Sequence, residues 1–178
     1  KRMLAPASKN GGVVSFRRVR GDEDPDLRFI LVVRHGLDMA HSGDANQLRM
    51  FSDLVLPERE QGLVGAQRAM AYWRTANLQA AERAGQLLGS RFHLLRYDDL
   101  IRSPAETMRA LAAFTGMPID VAEAMKEIAP PPSLERWRKH PDDEVLALLH
   151  VGRPALERFG FWDQDLFEAL TARTRRGR

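Results

Sequence analysis

The sequence predicts an α/β fold, a short parallel sheet flanked by helices, and three segments carry that expectation. Phe29–Val33 is an unbroken, largely β-branched apolar run, the composition of a strand buried in a parallel sheet. Phe92, Leu94 and Leu95 mark a second short strand. Between them Leu63, Ala66, Met70, Trp73, Leu78, Ala80, Ala84 and Leu87 recur at helical spacing. They predict a long amphipathic helix from about Gln61 to Leu88 that packs across the sheet.

Residues 1–27 hold Pro, Ser, Gly and many charges, with one weak apolar stretch, Val13-Val14-Ser15-Phe16. Lys9-Asn10-Gly11-Gly12 reads as a turn, and Asp22, Glu23 and Asp24 as a polar, turn-like stretch rather than catalytic bases. The first strand then ends in a cation, Arg34. Gly36 turns the chain and Asp38 falls in the first turn of a helix. A strand that stops at an Arg and passes into a helix N-terminus brings fixed charge and free backbone N–H groups together. That is the usual build of a phosphate site in an α/β protein. Ser42 follows Arg34 by eight residues. This is roughly two turns at about 3.6 residues each, so its hydroxyl points back toward the same anion.

Arg96-Tyr97-Asp98-Asp99-Leu100 closes the second strand. Ser103 then stands as N-cap, Pro104 as the first helical residue and Glu106 at the third position, a capping box. Met108, Leu111 and Phe114 give this helix one buried stripe, and Gly116 and Pro118 end it. Pro130-Pro131-Pro132 predicts a stiff, extended connector. It leads into Ser133-Leu134-Glu135-Arg136-Trp137-Arg138-Lys139, where four cationic or hydroxyl side chains fall within seven residues. Such a loop suits an anion, because Arg holds phosphate bidentately. The apolar helical run Val145–Val151 predicts a core or half-buried His150. Arg173, Arg175, Arg176 and Arg178 read as a solvated, disordered basic tail.

A chain of 178 residues fits one domain. The expected division is an irregular segment 1–27, a main domain 28–165, and a helix end with basic tail over 166–178. The net charge is +3 and the pI about 9.7, with acids and bases interleaved. This balance is compatible with a polyanionic nucleotide and gives no argument for DNA or RNA. With no cysteine there is no disulfide framework, thiolate metal site or catalytic thiol. The five histidines, His35, His41, His93, His140 and His150, show no clustered ligand spacing, so no metal is expected. Neither a membrane-length apolar run nor a signal-peptide core is visible, and the expectation is a cytoplasmic protein without a membrane partner.

Two families share the shape of the 29–42 segment. Arg34-His35-Gly36 after an apolar strand resembles histidine phosphatases and phosphoglycerate mutases, which implies phosphorylation of His35. The longer pattern, Arg34, Asp38 and Ser42, resembles the 3′-phosphate segment of sulfotransferases that use 3′-phosphoadenosine 5′-phosphosulfate (PAPS). The stretch Arg96-Tyr97-Asp98-Asp99-Leu100, then Phe114-Thr115-Gly116-Met117-Pro118, is similar to the later sulfotransferase core, and histidine phosphatases have no such segment. Ser133 to Lys139 resembles the stretch that closes over the nucleotide, and Phe159-Gly160-Phe161-Trp162 is similar to the family's Leu-Gly-Tyr ending. The resemblance covers about residues 28 to 162.

It implies a P-loop nucleotide-kinase-like core and transfer of a sulfuryl group from PAPS to a hydroxyl or amine on a small-molecule or glycan acceptor. Arg34 and Ser42 would bind the 3′-phosphate of PAPS or of its product PAP, Ser133 and Arg136 would close over it, and Tyr97 would lie near the nucleotide. The family also implies a Gly/Ser/Thr/Lys loop for the 5′-phosphosulfate, which residues 1–27 do not display, and no residue is assigned as catalytic base. Weak transfer is therefore expected, as is self-association into a homo-oligomer through an uncovered sheet edge. A non-catalytic nucleotide-binding remnant is the remaining alternative.

Overall fold

The computed structural model of the chain describes residues 26–43 and 46–177. Two strands, β1 (Phe29–Val33) and β2 (Phe92–Arg96), pair in parallel, with Phe29 opposite Phe92 and Val33 opposite Arg96. The crossover between them contains α1 (Gly36–Ala40), α2 (Asn46–Val55) and the long α3 (Gly65–Leu88). After β2 come α4 (Tyr97–Arg102), α5 (Pro104–Thr115), α6 (Val121–Lys126), α7 (Asp142–Arg158) and α8 (Gln164–Arg176). The predicted α/β class is borne out, with helices supplying most of the ordered chain. Because the register is even, Arg34 and Tyr97 leave the sheet side by side. They open onto the crevice beyond the carboxyl ends of parallel strands, where α/β proteins bind ligands.

The core lies where α3 crosses α7 and α1, around Val33, Leu37, Met70, Trp73, Leu148, Leu149 and Leu156. Burying each large side chain there contributes about 1.5–3 kcal/mol. Gly36 serves this core in a way the sequence reading did not anticipate. Its φ is not positive, so it is not a conformational turn residue. The indole of Trp73 lies against it instead, and a Cβ at Gly36 would fall 2.6–2.9 Å from ring carbons of Trp73. The same indole donates to the Arg34 carbonyl at 3.1 Å, which fixes the end of β1.

Several expectations need correction. The long helix begins at Gly65 rather than Gln61, because Glu58–Glu60 forms a 3-10 turn and the chain enters α3 through Gly65 at φ 54°. Its buried stripe runs Met70, Trp73, Ala81, Ala84 and Leu88. That leaves Ala80 half-buried and Leu87 exposed, one residue out of register with the expected stripe. Tyr97 starts α4 instead of closing the strand. Ser103 ends α4 and precedes α5 at once, with φ −137° and ψ 60°, and its side chain makes no capping bond, so the capping box does not form. Gly116 ends α5 as expected, in the left-handed conformation.

Further along, Leu134 N–H bonds to the Pro131 carbonyl at 2.9 Å, so the proline connector folds into a turn. His150 is exposed, edge-on to Phe167. Arg173, Arg175 and Arg176 belong to α8, where Arg173 pairs with Asp142 at 2.8 Å. The features expected at Lys9–Gly12, Val13–Phe16 and Asp22–Asp24, and Arg178, lie outside the described residues. No helix among those residues is long and apolar enough to cross a membrane.

Candidate functional site

Arg34 leaves β1 and meets a loop 99 residues away. Its Nη1 donates to Ser133 Oγ at 3.0 Å and its Nη2 to the Ser133 carbonyl at 2.6 Å. Nη2 also donates to Asp38 Oδ2 at 3.1 Å, four residues on along α1. Asp38 is 1% exposed. Its Oδ2 accepts a second bond, from Glu135 N–H at 2.9 Å. That bond holds Glu135 in a left-handed conformation (φ 55°, ψ 26°), which is costly for a residue with a Cβ. A buried carboxylate thus ties the cation of the first strand to the turn that presents the basic loop.

Arg136 opens a 3-10 turn, Arg136–Lys139. Its Nε donates to the Ser133 carbonyl at 3.3 Å and its Nη1 to the His41 carbonyl at 3.2 Å. The Tyr97 ring lies 5.6 Å from the guanidinium carbon of Arg34, a cation–π contact. Of the five residues expected to bind nucleotide, Arg34, Tyr97, Ser133 and Arg136 therefore share one cluster. Ser42 lies just past the end of α1, its N–H bonded to the Met39 carbonyl at 3.1 Å. Its neighbour His41 receives Arg136, which ties the Ser42 turn to the same loop. Ser133 Oγ accepts from Arg34, so its own O–H is left polarised and able to donate to an anion. Arg34 Nε and Asp38 Oδ1 are buried and have no hydrogen-bond partner among the described residues.

Two of the N–H groups at the start of α1 are already engaged. His35 N–H donates to Asp98 Oδ2 at 3.1 Å, and Leu37 N–H donates to His35 Nδ1 at 3.2 Å. Accepting at Nδ1 puts the proton of a neutral His35 on Nε2. Burial holds its pKa below the usual value, against the opposing pull of Asp98 and Asp38. The ring stacks on Trp137 and tilts against Phe161, at centroid distances of 6.2 and 5.1 Å.

His35, Asp38, Asp98, Trp137 and Phe161 also line an open cleft of 420 Å³ beside the cluster, together with Arg96, Arg102, Glu135 and Arg138. Its size falls within the range of small-molecule sites, about 300–1,000 Å³. Arg96 lies over Phe161, 4.7 Å from ring centroid to guanidinium carbon. The Glu135 carboxylate is held below its ordinary pKa, chiefly by its hydrogen bond from Arg138.

Sequence reasoning missed the pivot role of Asp38, the capping role of His35, and Asp98 as its anchor. For Asp38 a signal existed: an acid four residues after Arg34 is placed for an i,i+4 ion pair. It also missed a second cluster. Chain spacing groups no histidines, yet the fold stacks the His41 and His140 rings 3.5 Å apart beside Glu144.

Comparison with known families returns one description, "Sulfotransferase family", matched over residues 24–121. This is more than half of the chain. The match takes in both strands, Arg34, Ser42 and Tyr97, and stops short of the Ser133–Lys139 loop. Comparisons with curated proteins and with solved structures return no match. The matched span contains the strand-end Arg34 and the Tyr97 segment packed against it, and on that extent of agreement the chain belongs to the sulfotransferase family.

Proposed function

We propose that the chain transfers a sulfuryl group from PAPS, and that the Arg34–Ser133–Arg136 cluster recognises the 3′-phosphate of the donor and of its product PAP. The observation behind this reading is the direct bond from Arg34, inside the family match, to Ser133, outside it. Two guanidinium groups and a polarised hydroxyl converge on one point at the carboxyl edge of the sheet. Asp38 orients Arg34, and two cations against one buried carboxylate leave the cluster net positive. The residues present fit a phosphate: charge-assisted donors of this kind are the strong ones, and Arg forks match phosphate oxygens.

PAPS supplies an activated sulfuryl group. In the transfer an acceptor oxygen or nitrogen bonds to sulfur, the bond from sulfur to the 5′-phosphate oxygen breaks, and the acceptor's proton passes to a base. The adjoining cleft would hold the acceptor, a small molecule or a glycan chain end. Its aromatic wall, Trp137 and Phe161, gives it an apolar face, and its arginines face developing negative charge. His35, neutral and protonated on Nε2, serves that cleft as a hydrogen-bond donor. The base stays unassigned.

Calorimetric titration with PAP and with adenosine 5′-phosphosulfate, which lacks the 3′-phosphate, tests the assignment. Arg34→Ala is expected to weaken PAP by about 2–3 kcal/mol and Ser42→Ala by about 1, from lost charge-assisted and neutral hydrogen bonds. Adenosine 5′-phosphosulfate should be insensitive to both changes. Equal losses for the two nucleotides would remove the assignment.

A further inference from the structure

We propose that His41, His140 and Glu144 form a binding site for a divalent transition-metal ion of the zinc, cobalt or nickel type. The two imidazoles flank one carboxylate. His41 Nδ1 lies 3.7 Å from Glu144 Oε1, and His140 Nδ1 lies 3.4 Å from Oε2. One donor atom from each residue falls within 4.8 Å of the others. In a tetrahedral site with bonds of about 2.0–2.1 Å, ligand atoms stand about 3.3–3.4 Å apart. The two carboxylate contacts already approach that spacing, and only the remaining separation has to close.

A second observation points to a ligand. The His41 side chain is 4% exposed, and its Nε2 has no hydrogen-bond partner among the described residues. Its contact with Glu144, at 3.7 Å, is longer than a hydrogen bond. A buried imidazole left in that state is unfavourable, and native structures avoid it unless something else satisfies the ring. A cation held between His41, His140 and Glu144 would take up the Nδ1 lone pair that faces the carboxylate, and Nε2 would keep the ring's proton. Imidazole–imidazole–carboxylate is a donor set these ions favour, with a fourth position left for water.

The rings are stacked, 3.5 Å between centroids and 16° between planes, so their lone pairs run nearly parallel. Coordination requires them to converge. His140 is 36% exposed, at the junction of the Arg136–Lys139 turn and α7, and it is the ring with room to rotate. Its i,i+4 relation to Glu144 keeps the two ligands together as it does so.

The three ligands come from three elements: the C-cap of α1, the end of the basic turn, and the first turn of α7. A bound ion would staple them. Arg136 already reaches the His41 carbonyl, so the staple would fix the loop that carries Ser133 and Arg136 against the end of α1. The metal site itself does not depend on the identity of the nucleotide.

The test uses the full chain, untagged and stripped with chelator, titrated with Zn²⁺ by calorimetry and with Co²⁺ by visible absorption. Wild type is expected to bind one ion and to show the Co²⁺ d–d bands of a low-coordinate site. His140→Ala and Glu144→Gln each change a side chain more than a third exposed, so both should fold, which thermal melting without metal checks. Each should weaken Zn²⁺ at least tenfold, since loss of even an outer-shell partner costs about 10–100-fold. His150→Ala, on the exposed face of α7, should bind as wild type does. A wild type without stoichiometric Zn²⁺ binding, or His140→Ala and Glu144→Gln variants that bind as wild type does, would overturn the proposal.

Discussion

Removing the guanidinium of Arg34 while keeping its stem, as in Arg34→Met, strands a buried carboxylate. Asp38 is 1% exposed and would retain one donor, Glu135 N–H at 2.9 Å. Breaking a buried pair from one side typically costs about 3–5 kcal/mol, a large share of a domain's net stability. Asp38→Asn is milder. Its amide oxygen can accept from the same two donors, so the ion pair with Arg34 becomes a bond from a cation to a neutral oxygen and the Glu135 bond becomes neutral, at a cost of about 2 kcal/mol. The double variant has no uncompensated charge, and its loss should fall short of the sum by about 1–3 kcal/mol. Urea denaturation measures all three, with Trp73 and Trp137 as buried fluorescent reporters. If the two substitutions add to within about 0.5 kcal/mol, Asp38 is not the pivot of Arg34 and the reasoning fails.

Gly36→Ala should cost about 1–3 kcal/mol through overpacking against the rigid indole of Trp73, and it should shift the Trp emission; an unchanged melting temperature would contradict the close contact. The lowered pKa of His35 means that the unfolded chain binds its proton more readily than the folded one. The associated stability is thus fully present above about pH 6.5 and is lost as pH falls from there through the depressed folded value. His35→Asn keeps an acceptor for Leu37 N–H and should remove that part of the acid slope; parallel stability–pH curves for the two proteins would refute it.

The fold class was legible because the apolar runs of β1 and β2 and the stripe of α3 are local patterns. So was the strand-end position of Arg34. The details that failed depend on neighbours far along the chain. Gly36 is small because Trp73 arrives from α3, which no pattern around residue 36 reveals. Ser103 has the composition of a cap, but a helix ends directly at it and sets its dihedral angles. Arg34 and Ser42 were legible as an anion site from the local strand-to-helix pattern, and Ser133 and Arg136 from the composition of their loop, whereas Tyr97 and the nucleotide itself came from family resemblance; local pattern offered no reason for Arg34 to meet Ser133. Asp38 and Glu135 make that meeting possible, through a left-handed residue that composition does not signal. The His41–His140 stack is likewise a tertiary event.

A crystal structure of the protein with PAP tests the central claim most directly. The 3′-phosphate oxygens are expected within about 2.7–3.2 Å of the Arg34 and Arg136 guanidinium groups and of the Ser133 hydroxyl, with Tyr97 beside the nucleotide. A nucleotide whose 3′-phosphate faces solvent, or rests on Arg96 and Arg102 across the cleft, would contradict it.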